Sequence, residues 1–256
     1  MRHLLVAACL TLVGCAHSGA SSNTSSAAAS SAAKAAVDAP DRTEADRALD
    51  EGRHPAALLE FVGVEPGMKV AELMAGGGYT TELLARAVGP QGVVYGQNPK
   101  SILQMFAEKP WSERLARPIN HNVVRADREF EEPLPPEASN LDAVVSNIIY
   151  HDTVWMGADR AKMNAAIFRA LKPGGVYVIL DSSAKTGTGV NDVQTLHRID
   201  EQVVRTEVLA AGFKFAGESE VWRNPQDARD WNSSPKAAAE RRGTSDRFAL
   251  KFVKPR

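Results

Sequence analysis

Glu72-Leu73-Met74-Ala75-Gly76-Gly77-Gly78-Tyr79 joins two contrasting patterns of this 256-residue chain. It closes the short apolar run from Lys69 to Met74, which is typical of a buried strand, and it opens the helical pattern from Tyr79 to Val88. Three consecutive glycines let the main chain turn with positive φ and approach a ligand without an intervening Cβ. This turn therefore predicts an α/β fold with a ligand at the start of the helix.

The spacing of the glycines narrows the class of ligand. A dinucleotide-binding turn has Gly-x-Gly-x-x-Gly, and counting from Gly76 and Gly78 puts Thr81 where the third glycine belongs. A Walker loop ends in Gly-Lys-Ser or Gly-Lys-Thr, but no lysine lies between Lys69 and Lys100. The spacing weakens an NAD interpretation and does not support ATP binding.

Short strand patterns alternate with longer helical patterns on both sides of this turn, as a parallel sheet with crossover helices requires. The long segment from Asp192 to Ala211 has apolar residues near a 3.6-residue period, which predicts one amphipathic helix. The other predicted helices are Asp41–Glu51, Pro55–Val62, Tyr79–Val88, Lys100–Arg117 with an interruption at Pro110, and Asp159–Leu171. Seven strands are predicted at Lys69–Met74, Val93–Gln97, Asn122–Ala126, Leu141–Asn147, Val176–Asp181, Phe213–Val221 and Phe248–Val253.

The composition excludes several functions. With 30 Lys+Arg against 31 Asp+Glu, the formal charge of −1 gives no overall field to hold a polyanion, so we expect no nucleic-acid partner. The two cysteines are Cys9 and Cys15. The remainder of the chain therefore has no disulfide, no thiolate zinc site and no cysteine nucleophile.

The first residues resemble an export signal. Arg2 and His3 precede the apolar run Leu4–Val13, which is too short to span a bilayer. Leu12-Val13-Gly14-Cys15 resembles the lipobox of bacterial lipoproteins, which implies removal of residues 1–14 and a lipid on Cys15. We expect an exported protein that meets the outer membrane through this lipid alone and faces the periplasm; the alternative is a cytosolic protein with a chance apolar start.

Residues 15–37 consist mainly of Ser, Ala, Gly, Asn and Thr. Such a composition offers little apolar area to offset the entropy of ordering the chain. We therefore predict a flexible tether over residues 15–37 and a folded domain over residues 38–256.

The glycine turn resembles the first motif of class I S-adenosylmethionine-dependent methyltransferases, an acidic residue followed by x-Gly-x-Gly-x-Gly. Glu72 matches the acid, Gly76 and Gly78 match the last two glycines, and Met74 replaces the first. Leu171-Lys172-Pro173-Gly174-Gly175 resembles the family's entry into strand 5. Glu72–Leu84, together with Tyr95-Gly96-Gln97-Asn98-Pro99, resembles a group of bacterial proteins known as predicted methyltransferases. The resemblance implies a Rossmann-like, doubly wound, seven-stranded and mostly parallel sheet with an antiparallel last strand, and S-adenosyl-L-methionine as cofactor.

The same resemblance implies which residues hold the cofactor. The acid of the first motif lies near the cofactor's ammonium group, and amides after strand 2 replace the acid that usually binds the ribose. Asp127 stands where the family contacts the adenine amine, although capping of a turn is its alternative role. The implied cofactor-binding residues are Glu72, Ala75, Gly76, Gly77, Gly78, Tyr79, Gln97, Asn98, Asp127 and Asn147.

Residues after strand 4 are predicted to face the methyl group, because ligands of open α/β sheets lie beyond the carboxyl ends of the strands. Methyl transfer needs a general base only when the acceptor must lose a proton. His151 and Asp152 are candidates for that base, with a helix cap as the alternative for Asp152. His197 is a third candidate because it shares a predicted helix with Glu201, where a surface ion pair is the alternative. No metal-ligand spacing accompanies these residues, so the sequence predicts no metal site.

Two functions follow from these observations. The first is a methyltransferase that acts on an unidentified small molecule. The second is a lipid-anchored binding or accessory protein that kept the fold and lost catalysis, which Met74 and the missing acid after strand 2 favour.

Overall fold

The structure, a computed structural model, describes residues 20–256, and their side chains from residue 27 onward. A single seven-stranded sheet in the order β3-β2-β1-β4-β5-β7-β6 forms its centre. The strands are β1 (Lys69–Leu73), β2 (Val93–Asn98), β3 (Val123–Asp127), β4 (Leu141–Asn147), β5 (Leu171–Ser182), β6 (Lys214–Ser219) and β7 (Arg247–Val253). β1 to β5 are parallel, whereas β7 runs antiparallel to both β5 and β6. The predicted Rossmann-like sheet with an antiparallel last strand is therefore confirmed.

Helices pack on both faces of this sheet. Alternation of side chains along the strands creates two apolar layers: Val144 of β4 belongs to one layer, and its neighbours Ala143 and Val145 belong to the other. The helices are α1 (Ala20–Asp38), α2 (Glu44–Arg47), α3 (Asp50–Arg53), α4 (Pro55–Val62), α5 (Tyr79–Val88), α6 (Lys100–Ile102), α7 (Glu108–Leu115), α8 (Tyr150–Trp155), α9 (Arg160–Ala170), α10 (Glu201–Ala210) and α11 (Pro235–Ala238), with a π-helical turn over Leu103–Ala107.

The strand order reverses between β1 and β4. The chain passes from β1 outward to β2 and β3, and then returns to the other side of β1 to form β4. In open α/β sheets this reversal opens a crevice at the carboxyl ends of the strands, where ligands bind. The turn after β1 and the segment after β4 therefore face each other across the crevice.

The predicted flexible tether is wrong over the described residues, since residues 20–38 form α1. Ala29, Ala33 and Ala36 repeat at helical spacing and are buried, and α1 packs against α4 and α5. Alanine has the highest helix propensity, and its small side chain lets two helices approach closely. The folded part of the chain thus begins well before residue 38. The predicted signal at residues 1–14 and the lipid-bearing Cys15 lie outside the described residues.

Three helix predictions also need correction. The interruption expected at Pro110 is instead a π-helical turn over Leu103–Ala107, and Pro110 lies within α7. Residues 191–196 form turns, and only Glu201–Ala210 of the long predicted helix is helical. Asp200 caps that helix, because its carboxylate accepts a hydrogen bond from the backbone N–H of Gln202 at 3.0 Å. The predicted helix from Asp41 to Glu51 is divided into α2 and α3. Within residues 20–256, no helix combines the length and the apolar character needed to cross a membrane.

Candidate active site

The turn after β1 uses left-handed backbone at three positions. Met74 has φ +47°, Gly76 has φ +56° and Gly78 has φ +81°. A non-glycine residue in this region costs about 1–2 kcal/mol, because its Cβ approaches the following carbonyl oxygen. Met74 therefore adopts a left-handed conformation that glycine takes without this cost.

The three glycines have different neighbours. A Cβ on Gly78 would lie 2.4 Å from the ring of Trp111, so Gly78 is needed for internal packing. A Cβ on Gly77 would touch Pro110 at 3.4 Å. A Cβ on Gly76 would meet only Phe106, at 3.9 Å, so this main chain has open space beside it. Of the three glycines, only Gly76 leaves its main chain open on the Cβ side.

The two amides after β2 hold the glycine turn in place. The side chain of Asn98 accepts a hydrogen bond from the Gly76 N–H at 2.8 Å and donates one to the Gly76 carbonyl at 3.1 Å. The Gln97 side chain accepts a bond from the Met74 N–H at 2.9 Å and donates to the carbonyl of Arg128. Both side chains are fully buried. Their polar atoms shape the turn, and the predicted role of these amides in binding ribose stays a prediction.

Asp127 and Tyr79 also bind other parts of the protein. Asp127, at the end of β3, accepts hydrogen bonds from Arg125 at 2.8 and 2.9 Å. The Tyr79 hydroxyl donates to Asp50 at 2.6 Å, and burial raises the pKa of this hydroxyl. The backbone of Ala75 donates to the carbonyl of Gln97 at 2.8 Å. The structure thus places these predicted cofactor residues around the crevice with their polar groups already hydrogen-bonded.

Glu72 and Asn147 face the first turn of α5 from β1 and β4. Glu72 is buried and accepts a hydrogen bond from the Thr81 hydroxyl, and burial raises the pKa of Glu72 to about 7. The amide of Asn147 donates to the Thr80 hydroxyl at 3.0 Å. Its Oδ1 is buried and has no hydrogen-bond partner in the described part of the chain. An unpaired buried acceptor is costly, so this oxygen marks a position where a ligand donor would be favourable.

Arg53 was not identified by the sequence reasoning. Its guanidinium lies 4.5 Å from the ring centroid of Tyr79, at the start of α5, and forms no ion pair with any residue of the described chain. Burial lowers the pKa of Arg53, and the negative charge of Glu72 acts in the opposite direction. Residues 50–54 contain no recognisable motif, so only the tertiary structure places this cation beside the crevice.

Three candidate catalytic residues meet beyond the ends of β4 and β5. The imidazole of His151 is bonded on one side to Asp181, with 2.7 Å between Nδ1 and Oδ1. On its other side, Nε2 lies 3.2 Å from Oδ1 of Asp152 and 3.3 Å from Nδ1 of His197. Asp181 was not predicted as a site residue, although it ends the predicted fifth strand. The structure thus brings His151, Asp152 and His197 together although 46 positions separate the two histidines.

The electrostatics of this cluster are dominated by two carboxylates. Although burial favours the neutral imidazole, the charges of Asp181 and Asp152 raise the pKa of His151 to about 10. For Asp152, burial acts to raise the pKa, but His151 outweighs it and the pKa lies well below its usual range. Trp155 donates to Oδ1 of Asp152 at 2.7 Å. Asp152 therefore contacts His151, His197 and Trp155. It does not cap α8, whose N-cap residue is Ile149.

The backbone around the cluster is strained. Ile148 has φ +61° and His197 has φ +51°. Left-handed backbone is an outlier for a β-branched residue, and such strain is concentrated at functional sites. The partner predicted for His197 was wrong, because Glu201 lies on α10 and pairs with Arg205 and Arg223 instead.

The chain is similar in sequence to known methyltransferases. Residues 27–128 match the family model of protein-L-isoaspartate(D-aspartate) O-methyltransferase. The ubiquinone/menaquinone biosynthesis C-methyltransferase of Pasteurella multocida is 33% identical over 126 residues, which cover 49% of this chain and 44% of that protein. Its counterpart in Cronobacter sakazakii is 28% identical over 168 residues, 63% of this chain and 62% of that protein. The matched region thus spans less than two thirds of the length of either relative.

Solved structures show the same fold. An S-adenosylmethionine-dependent methyltransferase from Aquifex aeolicus superposes with a TM-score of 0.57 and 17% identity, covering 88% of this chain and 97% of that one. An arsenic(III) S-adenosylmethionine methyltransferase from Chlamydomonas reinhardtii gives a TM-score of 0.54 and 16% identity, covering 88% of this chain and 73% of that one. The chain therefore has the class I methyltransferase fold.

Proposed function

We propose that this protein, which has the class I methyltransferase fold, is an S-adenosyl-L-methionine-dependent methyltransferase acting on a small-molecule acceptor. The observation that carries the proposal is the open main chain at Gly76, at the carboxyl end of β1, where the strand order reverses. The sequence relatives, named as methyltransferases, support the same activity. When bound, the cofactor supplies a sulfonium methyl group that an aligned nucleophile can attack.

The residues at the crevice fit the amino-acid end of this cofactor. Its ammonium group needs acceptors, and Glu72 together with the unpaired Oδ1 of Asn147 provides them. Its carboxylate needs a cation, and Arg53 is a partly buried guanidinium without an ion-pair partner in the described chain. Charge-assisted hydrogen bonds of this kind are stronger than neutral ones. We therefore assign Glu72, Asn147 and Arg53 to the amino-acid group of the cofactor.

The ribose end of the cofactor meets a different environment. Gln97 and Asn98 are already bonded to the glycine turn, so no acidic side chain at the end of β2 accepts from the ribose hydroxyls. We infer that the amino-acid end contributes most of the binding free energy. We also infer that Gln97 and Asn98 act by holding Gly76 in its left-handed conformation.

The acceptor belongs beside the His151 cluster in this proposal. His151, Asp152 and His197 lie beyond the carboxyl ends of β4 and β5, on the same edge of the sheet as Gly76. Their alignment with the methyl group would lower the barrier by proximity. Trp155 is 37% exposed and gives this region an apolar contact for the body of a small molecule.

Calorimetric titration of the full chain with S-adenosylmethionine and S-adenosylhomocysteine tests the cofactor assignment. We expect micromolar binding of both compounds and no binding of NAD. Gly76→Ala is expected to abolish binding, because the new Cβ occupies the open side of the turn. Gly63→Ala is a matched control, since Gly63 also has positive φ but has open space around it at the end of α4. Failure of the unsubstituted protein to bind either compound would favour the non-catalytic accessory function.

We further propose that the protein is exported and anchored by a lipid on Cys15. The resemblance of Leu12-Val13-Gly14-Cys15 to a lipobox supports this proposal. Cys15→Ala is expected to move the protein from the membrane fraction to the soluble fraction of its bacterium. A Cys15→Ala protein that still sediments with membranes would contradict the proposal; Cys9→Ala is the control.

A further inference from the structure

We propose that His151, Asp152 and His197 form a binding site for a divalent transition-metal ion, with zinc(II) as the best match. The inference is independent of the proposed methyl transfer, because it depends only on the geometry and chemistry of these three side chains. Each offers one ligand atom toward the others: Nε2 of His151, Oδ1 of Asp152 and Nδ1 of His197.

The distances between these atoms match a coordination site. The three separations are 3.2 Å, 3.3 Å and 3.7 Å. A point equidistant from the corners of such a triangle lies about 2.0 Å from each atom, and zinc bonds to imidazole nitrogen and carboxylate oxygen measure about 2.0–2.2 Å. An ion at bonding distance from all three atoms therefore requires little movement of the side chains.

The surrounding residues orient the proposed ligands. The Nδ1 atom of His151 bonds to Asp181, which leaves Nε2 directed toward Asp152 and His197. Histidine ligands of metals usually donate their second ring N–H to a carboxylate in this way. Trp155 donates to Asp152, and Ser233 donates to the main-chain carbonyl of His197 at 2.6 Å. Asp181 and Trp155 are therefore positioning residues for the site.

The charge of the site also favours a cation. Neither Asp152 nor Asp181 forms an ion pair with a lysine or arginine within residues 27–256; both instead face His151. The His151 imidazole, when protonated, carries one positive charge between the two buried carboxylates, whereas a divalent ion bound to neutral imidazoles would carry two. Arg247 interacts electrostatically with Asp181, but its guanidinium hydrogen-bonds Gly52 and Ser245.

The site has a route for an ion and for a fourth ligand. The side chain of His197 is 28% exposed, whereas those of His151 and Asp152 are buried. Three protein ligands with one position open to solvent are typical of catalytic zinc sites. Mixed nitrogen and oxygen ligands suit zinc and neighbouring transition metals, whereas magnesium and calcium prefer oxygen ligands alone. The fourth position would take water or an oxygen of a small molecule.

Equilibrium dialysis against zinc(II) followed by metal analysis tests this site on the full chain. All samples carry Cys9→Ser and Cys15→Ser, because thiolates outside the site would bind zinc. We expect one zinc ion per chain and no retention of magnesium. Cobalt(II) is expected to give the intense visible absorption of a four- or five-coordinate site.

Two substitutions locate the ion. His197→Gly removes one ligand, and glycine tolerates the left-handed backbone at this position. Asp152→Asn removes the negative charge of the carboxylate ligand and keeps an oxygen that accepts from Trp155. Each is expected to weaken zinc binding by more than the roughly 10–100-fold that loss of a positioning residue costs. His121→Ala, at an exposed histidine, is the control and should bind zinc normally.

The outcomes separate the possibilities. Loss of binding in folded His197→Gly or Asp152→Asn protein, with His121→Ala unchanged, supports the site. Absence of stoichiometric zinc and of the cobalt absorption in the unsubstituted chain would overturn it, whatever the variants do. Undiminished binding in both variants would overturn it as well.

Discussion

Replacing Glu72 with glutamine is expected to change how stability depends on pH. Burial raises the pKa of Glu72 from 4.5 to about 7, so the folded state binds more protons than the unfolded state between these values. Stability therefore falls as pH rises from about 4.5 to 7, by about 1.4 kcal/mol per pH unit and by about 3 kcal/mol in total. Glutamine carries no charge at any pH and keeps an acceptor for Thr81.

Urea unfolding of both proteins between pH 4 and pH 8.5 measures this effect. Near pH 4 the two proteins should have similar free energies of unfolding. Above pH 7, Glu72→Gln should be more stable by as much as about 3 kcal/mol. Glu113→Gln, at an exposed carboxylate, controls for the general effect of removing one charge. A constant difference between Glu72→Gln and the unsubstituted protein across this range would refute the assignment of Glu72 as a carboxyl destabilised by burial.

Two further predictions concern packing. Gly96→Ala should lower the free energy of unfolding by about 1–3 kcal/mol, because the added Cβ would lie 2.6 Å from the buried Trp111. Gly77→Ala should lower it by less, because its Cβ would lie 3.4 Å from Pro110. Equal losses for the two variants in chemical denaturation would contradict this packing. Ala33→Glu should destabilise the protein by about 2 kcal/mol or more, because Ala33 is buried where α1 packs on the domain. Ala35→Glu, at an exposed position of the same helix, should be nearly neutral. A thermal scan in which both variants match the unsubstituted protein would support a tether in place of α1.

The strands were predictable because their signals are local. Runs of β-branched and apolar residues bounded by glycine, proline or aspartate fixed β1 to β5 to within a few residues, and the largest difference is the earlier start of β5 at Leu171. The helix α1 was missed because a Ser/Ala-rich composition lacks apolar area by itself. Its stability comes from a partner surface on α4 and α5, which no local pattern displays.

The site was predictable in part. His151 and Asp152 follow β4 in sequence, so their place at the carboxyl edge could be deduced from the order of the strands. His197 lies in the cluster with His151, but the neighbour predicted for it was wrong, because the apolar period from Asp192 to Ala211 favoured a helix that instead begins after the Asp200 cap. Turns joined by tertiary contacts bring His197 to His151, and a helical wheel cannot show such a contact.

A crystal structure of the full chain grown with S-adenosylhomocysteine tests most directly whether the crevice after β1 is the cofactor site. The ligand is expected beside the main chain of Gly76, with its ammonium group near Glu72 and Asn147 and its carboxylate near Arg53. Electron density for the ligand elsewhere, or an unliganded Gly76 turn in crystals saturated with the compound, would contradict the assignment.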